Sequence, residues 1–473
     1  FIVQVKLQLM KQTNHMRRVQ GYCALCWSKC GCISVVENNR LVAVEPDLQH
    51  PTGQALCAKG RAAPELVNHE DRLLYPLKRT RPKGAPDPGW ERIGWNEALD
   101  IISSKLKEIS DDSGTDSVAF GIATSAGTSM SDGYRWIERL RLAFGSPNAA
   151  IAMELCGYAK EMVFPHTFGV GMPVVDLEHT DCIMLWGHNP TVTWLAYGSR
   201  IAQAKDNGAK LIVVDPRHAG LASKADQWLR IQPGTDGALA LGLANIIIEN
   251  EWYDDEFIRN WTNGPHLIRE DTGKFLTSAD LDEGNDSDHL VAWNQTTGTV
   301  ILYDRLSGTY STDFTQLALF GHFEVSGANG PISCRPAFSQ YAELCNRYTP
   351  ERVEQLTWIP VQQIRDTAQL YGNAQAPSFY AWSGLEMHTN VSQTNRAIAL
   401  LYALTGNFDS EGGNVIFETT PLNDVFGDDL ISPEMQAKSI GLADRPLGPE
   451  TRGWITVENL YSAILTGQPS NVR

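Results

Sequence analysis

The chain has no run of 18 or more apolar residues, the length a helix needs to cross the hydrocarbon of a bilayer. Direct membrane insertion is therefore not expected. Positive charge is scarce: 39 lysines and arginines against 55 aspartates and glutamates leave a formal net charge of −16. Phosphate backbones and anionic lipid would be repelled except at local basic patches, so no nucleic-acid partner is expected, and small molecules or proteins fit better. The nine cysteines lack the framework of a small secreted domain, five of them being scattered at Cys32, Cys156, Cys182, Cys334 and Cys345. A reducing, cytoplasmic setting is the simplest expectation. Met16-Arg17-Arg18 begins like a twin-arginine export signal, but the cysteines that start at Cys23 leave no room for an apolar stretch behind it. No internal repeat is found, and residues 1–16 are left unassigned.

What is present starts with four cysteines. Cys23, Cys26 and Cys30 share one tight loop, separated by two and then three residues, and Cys57 follows 27 positions later, just ahead of Lys59-Gly60-Arg61. Thiolates so spaced describe one centre closed by one long excursion, which suits a four-iron cluster. Structural zinc prefers two similar CxxC knuckles. Spacing alone leaves cluster, zinc and unmetallated thiols all open.

The rest has ordinary globular composition, 42% hydrophobic and 20% charged, with length for about two to four domains. Residues 17–80 read as a metal-organised module in which Ile33–Val36 and Leu41–Val44 alternate like short strands, with too little core to stand alone. From Trp95, Ala98, Leu99, Ile101, Ile102, Leu106 and Ile109 recur at helical spacing behind Asn96, a suitable N-cap. Residues 81–165 are expected to form the first part of an α/β domain.

The clearest unit starts at Asp181: an apolar strand Cys182–Trp186, a turn Gly187-His188-Asn189-Pro190, a helix through Leu195, Ile201 and Ala204, and a strand Leu211–Val214 ending at Asp215-Pro216-Arg217. Strand, helix, strand is the βαβ arrangement of a doubly wound parallel sheet, whose ligands sit beyond the carboxyl ends of the strands. A strand Gln227–Ile231 then leads through Pro233-Gly234-Thr235-Asp236 to a helix Ala238–Ile248, whose free amides suit a phosphate. Residues 166–345 are thus expected to be an α/β dinucleotide-binding domain carrying a β-rich insertion. Within 346–420, Ala376–Trp382 reads as a strand and Thr394–Leu404 as a helix, and this segment is expected to be the second part of the earlier α/β domain. Residues 421–473 read as irregular, with no C-terminal β domain.

Taken together, the motifs resemble the molybdenum or tungsten bis-pyranopterin oxidoreductases of the dimethyl-sulfoxide-reductase superfamily. The resemblance spans about residues 20–420 and rests on the cysteine module with Lys59, Trp95–Leu99, Phe144–Asn148, Trp186–Pro190, Val214–Arg217, Pro233–Asp236, and Leu404–Asn407 with Gly412-Gly413, in the family's order. It implies a multi-domain α/β fold with a small N-terminal [4Fe-4S] module, and it favours the four-iron cluster for Cys23, Cys26, Cys30 and Cys57. It also implies bis(molybdopterin guanine dinucleotide) with Mo or W. Gly187, Asn189, Asp215, Pro233 and Asp236 would line the dinucleotide sites, with the two aspartates reading guanine edges and His388 and Asn390 as further pterin contacts. A carboxylate accepts from two guanine N–H groups in a paired geometry, while loop amides hold pyrophosphate. The plainer alternative is that both aspartates only cap turns.

Cys156 falls where the family places its protein-derived metal ligand, and a soft thiolate suits a metal already bound by dithiolene sulfurs. Gly157 stands where formate dehydrogenases have histidine, which argues against formate oxidation. His166 suits a proton relay, since imidazole titrates near neutrality. Lys59 would lie on the electron path between pterin and cluster. The implied activity is two-electron redox on a small-molecule substrate, with electrons leaving through the cluster to an iron–sulfur, flavin or haem protein or subunit. Two alternatives stand beside it: a non-redox, acetylene-hydratase-like tungsten enzyme, and a metal-free electron-transfer scaffold.

Overall fold

The computed structural model describes residues 16–26, 28–122, 130–151, 153–282, 284, 289–418 and 425–472. All but the last residue of the unassigned segment 1–16 lies outside them. By its contacts the chain divides into two compact units, one comprising Phe1–Tyr158, Pro190–Arg200 and Thr419–Arg473, the other Ala159–Asn189 and Ile201–Glu418.

The first unit begins with an antiparallel sheet of Arg17–Tyr22, Gly31–Glu37 and Arg40–Pro46 in that order. Its core is small, built on Cys30, Cys32, Val44 and Leu56. The helix Trp95–Ser113 starts one residue before the expected cap: Gly94 is the N-cap, and its carbonyl accepts from the Ala98 amide at 3.0 Å. None of its residues is buried, so the apolar spacing that predicts the helix marks a face exposed within the described residues. A parallel sheet follows, with Asn148–Ile151 between Ala119–Ile122 and Trp454–Ile455. The expectation of an irregular 421–473 is thereby corrected. Residues 425–472 supply the edge strand Trp454–Ile455 and the helix Val457–Thr466, whose Ala463 packs with Ile440 and Ile455. Two strand residues and one helical face are too short a pattern to stand out in sequence. Buried Asn148 ties the pieces together, its Oδ1 accepting from the Ile440 amide at 3.0 Å and its Nδ2 donating to the Asp116 carbonyl at 2.9 Å.

The second unit is built on four parallel strands in the order Gln227–Leu229, Lys210–Val214, Cys182–Trp186 and Pro377–Ala381. Cys182–Trp186 is apolar throughout because both faces are covered, the condition of a parallel sheet flanked by helices. Met184, Trp186, Ile212 and Val214 share one core with Leu239, Leu243 and Ile247 of the helix Asp236–Glu249 and with Ile398 and Tyr402 of the helix Val391–Leu404. Pro377–Ala381 lies in register with Cys182–Trp186. Residues 346–418 therefore belong with the dinucleotide-type sheet and not, as the sequence suggested, with 81–165: a strand's partner is set by tertiary packing, which its own pattern does not state. Asn414, 1% exposed, closes the free edge of that strand, its Nδ2 donating to the Phe379 carbonyl at 2.9 Å and its Oδ1 accepting from the Phe379 amide at 3.0 Å. The insertion forms two small antiparallel sheets, including the hairpin Leu290–Asn294 and Thr299–Asp304, over a core of Leu267, Leu276, Val291, Val325 and Cys334.

Candidate cofactor sites

In the first unit the cysteine loop is closed by its own backbone. The Cys23 amide donates to the Cys30 carbonyl at 2.8 Å and the Lys29 amide to the Cys26 carbonyl at 3.3 Å, with Lys29 at φ 41° to complete the turn. A second segment braces it: Thr52 Oγ1 donates to the Lys29 carbonyl at 2.7 Å, and the His50 ring lies so close to Gly31 that a Cβ there would sit 2.2 Å from it. Cys57 is the N-cap residue of the short helix Ala58–Arg61, and within that helix a Cβ on Gly60 would approach Cys23 Sγ to 3.3 Å. Burial raises the Cys23 thiol above its usual range, and the neighbouring thiols of Cys26, Cys30 and Cys57 push the same way against a backbone hydrogen bond. Cys26, Cys30 and Cys57 thus all lie near Cys23. Among the described residues no three His, Cys, Asp or Glu side chains gather tightly enough to hold one metal ion. A four-iron cluster gives each of four thiolates its own iron. Lys59 is exposed on the Ala58–Arg61 helix.

Cys156, half-buried, ends the turn of helix Met153–Cys156 just beyond the carboxyl end of the parallel strand Asn148–Ile151. That is the side of an open α/β sheet where ligands bind. His166 lies exposed in the helix Tyr158–Phe168, next to an internal proline, Pro165.

In the second unit the loops at the carboxyl ends of the strands converge. Gly187 adopts φ +53° as its amide donates to the Val214 carbonyl at 2.9 Å, and its carbonyl accepts from the Gly384 amide at 3.0 Å. A Cβ on Gly187 would stand 2.9 Å from Gly384 Cα, so both glycines are needed for the backbones to meet. Burial drops the His188 imidazole to about 3, keeping it neutral against the rings of Tyr380 and Trp382 at 4.9 and 5.7 Å. Asp215 is half-buried and accepts the Arg217 amide at 2.7 Å through Oδ1. Asp236, 6% exposed, has its carboxyl pushed up to about 6 by burial. The amides of Asp236 and Gly234 and the charge of His388 pull the other way, and Asp215 adds to the rise. His388 Nδ1 is 3.5 Å from where a Gly234 Cβ would be. The structure therefore gathers Gly234, Asp236, Asp215 and His388. Pro233 is exposed on the same loop, Asn189 is half-buried, and Asn390 is an exposed left-handed residue that starts the helix Val391–Leu404.

Residues 72–449 match the family model described as molybdopterin oxidoreductase, and residues 16–69 match that family's Fe4S4 domain. The chain belongs to the molybdopterin oxidoreductases. It is 26% identical to the dopamine dehydroxylase of Eggerthella lenta over 97% of this chain and 54% of that protein. It is 28% identical to the perchlorate reductase alpha subunit of Dechloromonas aromatica over 85% and 46%. With the acetylene hydratase of Syntrophotalea acetylenica it shares 36% identity over 47% of this chain and 30% of that one. The solved acetylene hydratase from Pelobacter acetylenicus has the same fold, with a TM-score of 0.73 at 22% identity over 96% of this chain and 56% of that chain. The chain thus spans about half the length of the curated relatives it matches over nearly all of its own. This molybdopterin oxidoreductase is an enzyme, with a [4Fe-4S] cluster in its N-terminal domain and a molybdopterin carrying Mo or W as cofactors.

Sequence reasoning gave no separate role to Gly60, Gly31, His50 and Thr52 around the cluster loop, or to Gly384 and Asn414 around the strand-end crevice. Their roles are close approaches and backbone mimicry, which become visible only when distant segments meet.

Proposed function

We propose that this molybdopterin oxidoreductase is a catalytic subunit that carries out two-electron redox chemistry on a small molecule and passes the electrons singly through its four-iron cluster to a separate electron-transfer protein or subunit. The gathering of Asp215, Asp236, Gly234 and His388 at the carboxyl ends of the strands carries this reading, because it offers carboxylate acceptors and loop amides where a guanine dinucleotide would lie. In it, Asp215 and Asp236 accept from guanine edges, and Gly187, Asn189, Pro233, His388 and Asn390 line the cofactor. Cys156 supplies the protein thiolate to the metal. When bound, the bis-pterin metal supplies an open coordination position and a two-electron reservoir. His166, the histidine nearest Cys156 in sequence, is the proton carrier, and Lys59 sets positive charge beside the cluster. The retained acceptors and thiolate weigh against a metal-free scaffold. Three relatives are named as alpha subunits, of perchlorate reductase, of F420-dependent formate dehydrogenase and of dimethylsulfide dehydrogenase, which supports a partner subunit for this chain as well.

Hydration without net redox change is the second reading, and the identity shared with acetylene hydratase supports it. Elemental analysis of anaerobically purified full-length protein comes first. About four irons and one Mo or W per chain are expected. Iron alone from cofactor-competent cells favours the scaffold, and zinc alone sinks the cluster. Viologen oxidation or reduction coupled to turnover then separates redox from hydration, since hydration consumes no electrons.

A further inference from the structure

A serine hydroxyl rests against one of the four sulfurs of the cysteine module. Ser28 Oγ lies 3.1 Å from Cys30 Sγ, with Ser28 8% exposed and Cys30 4%. The backbone fixes that approach from both sides. The Lys29 amide donates to the Cys26 carbonyl at 3.3 Å and the Cys23 amide to the Cys30 carbonyl at 2.8 Å, while Thr52 Oγ1 donates to the Lys29 carbonyl at 2.7 Å, so the chain on either side of Ser28 is tied down. As a free thiol, Cys30 gives or takes the hydrogen; as a thiolate it carries no proton and only accepts. The hydroxyl is then the donor. It has no other partner among the described residues, and a buried hydroxyl left unpaired is costly, so its proton is directed to this sulfur. Burial of both residues keeps water from competing for either atom and lowers the local dielectric, which strengthens the bond. Hydrogen bonds to the sulfurs are among the means by which a protein sets the reduction potential of an iron–sulfur cluster. One-electron reduction adds negative charge that the sulfurs share, and a fixed donor favours the more negative state.

We propose that Ser28 tunes the four-iron cluster by donating from its hydroxyl to the Cys30 thiolate, and so raises the potential at which the cluster takes up an electron. This deepens the electron-transfer reading above and rests on Cys30 as a cluster ligand. The test is a redox titration of the loaded, anaerobically purified full-length enzyme, followed by the electron paramagnetic resonance of the reduced cluster, with Ser28→Ala, Ser28→Val, Ser28→Thr and Cys30→Ala beside wild type. At the wild-type midpoint the ratio of oxidised to reduced cluster is expected to rise about tenfold in Ser28→Ala and Ser28→Val, which is a midpoint lowered by about 59 mV for one electron. Ser28→Thr matches Ser28→Val in shape but keeps a hydroxyl, and it is expected to titrate with wild type. Equal midpoints in all the Ser28 proteins overturn the proposal, as does a shift that Ser28→Thr shares, which would mark packing and not the hydrogen bond. Loss of iron from both hydroxyl-free variants makes Ser28 a structural member of the loop and overturns it too. Cys30→Ala is expected to lose the cluster signal; an unchanged signal there overturns the ligand reading, a failure distinct from an unchanged midpoint.

Discussion

Asp236 holds a carboxyl at 6% exposure at the start of a helix and facing a crevice, and burial outweighs every partner, raising it to about 6. Its folded form grips the proton more tightly than the unfolded chain, near 3.9, does. Folding is therefore helped by this group below about pH 4, and the help is lost as pH rises through 6. In cofactor-free protein, Asp236→Asn is expected to be more stable than wild type at pH 7.5 by on the order of 2 kcal/mol, with the difference vanishing near pH 4. Urea unfolding at the two pH values measures it, and equal curves at pH 7.5 would show that the carboxylate already has its partners. Gly187 is strained in another way. Gly187→Ala adds a Cβ 2.9 Å from Gly384 Cα at φ +53°, and a loss of about 2–4 kcal/mol is expected in the same assay from strain and contact together.

At the scale of elements, Asn414 substitutes for a strand. Asn414→Ala removes both hydrogen bonds to Phe379 at a site 1% exposed, and a cost of about 1–3 kcal/mol is expected by chemical denaturation; a loss below about 0.5 kcal/mol would mean that water takes over both groups. The strands Cys182–Trp186, Lys210–Val214 and Pro377–Ala381 and the helices Asp236–Glu249 and Val391–Leu404 were legible because each states its own period or apolar run. The positions of Gly187 and Asp215 just beyond strand ends were legible for the same reason, since local order places them. What could not be read is pairing across distance. Nothing in Trp454-Ile455 names Asn148–Ile151 as its neighbour, and nothing in Pro377–Ala381 names Cys182–Trp186. The cap at Gly94 escaped because glycine caps by backbone conformation and Asn96 offered the better side chain.

For the molecule as a whole, the two units are expected to answer separately to loss of iron. The cluster module rests on four buried residues, two of them cysteines, whereas the second unit has an extended core of its own. Oxidative removal of iron should open 17–70 to protease while fragments covering 201–418 persist. Mass spectrometry of the digest reads this out, and simultaneous loss of both would show that the cluster supports the entire chain. The same architecture has a consequence in time. Cys182–Trp186 gains Lys210–Val214 soon after it is made, but its other neighbour, Pro377–Ala381, emerges about 190 residues later. At about 5–20 residues per second, one edge of the central strand stays bare on the ribosome for roughly 10–40 seconds. During that interval the crevice has neither Gly384 nor His388, so nascent chains are exposed to edge-to-edge association, and under the proposed function cofactor loading has to wait until synthesis has passed the turn that carries them.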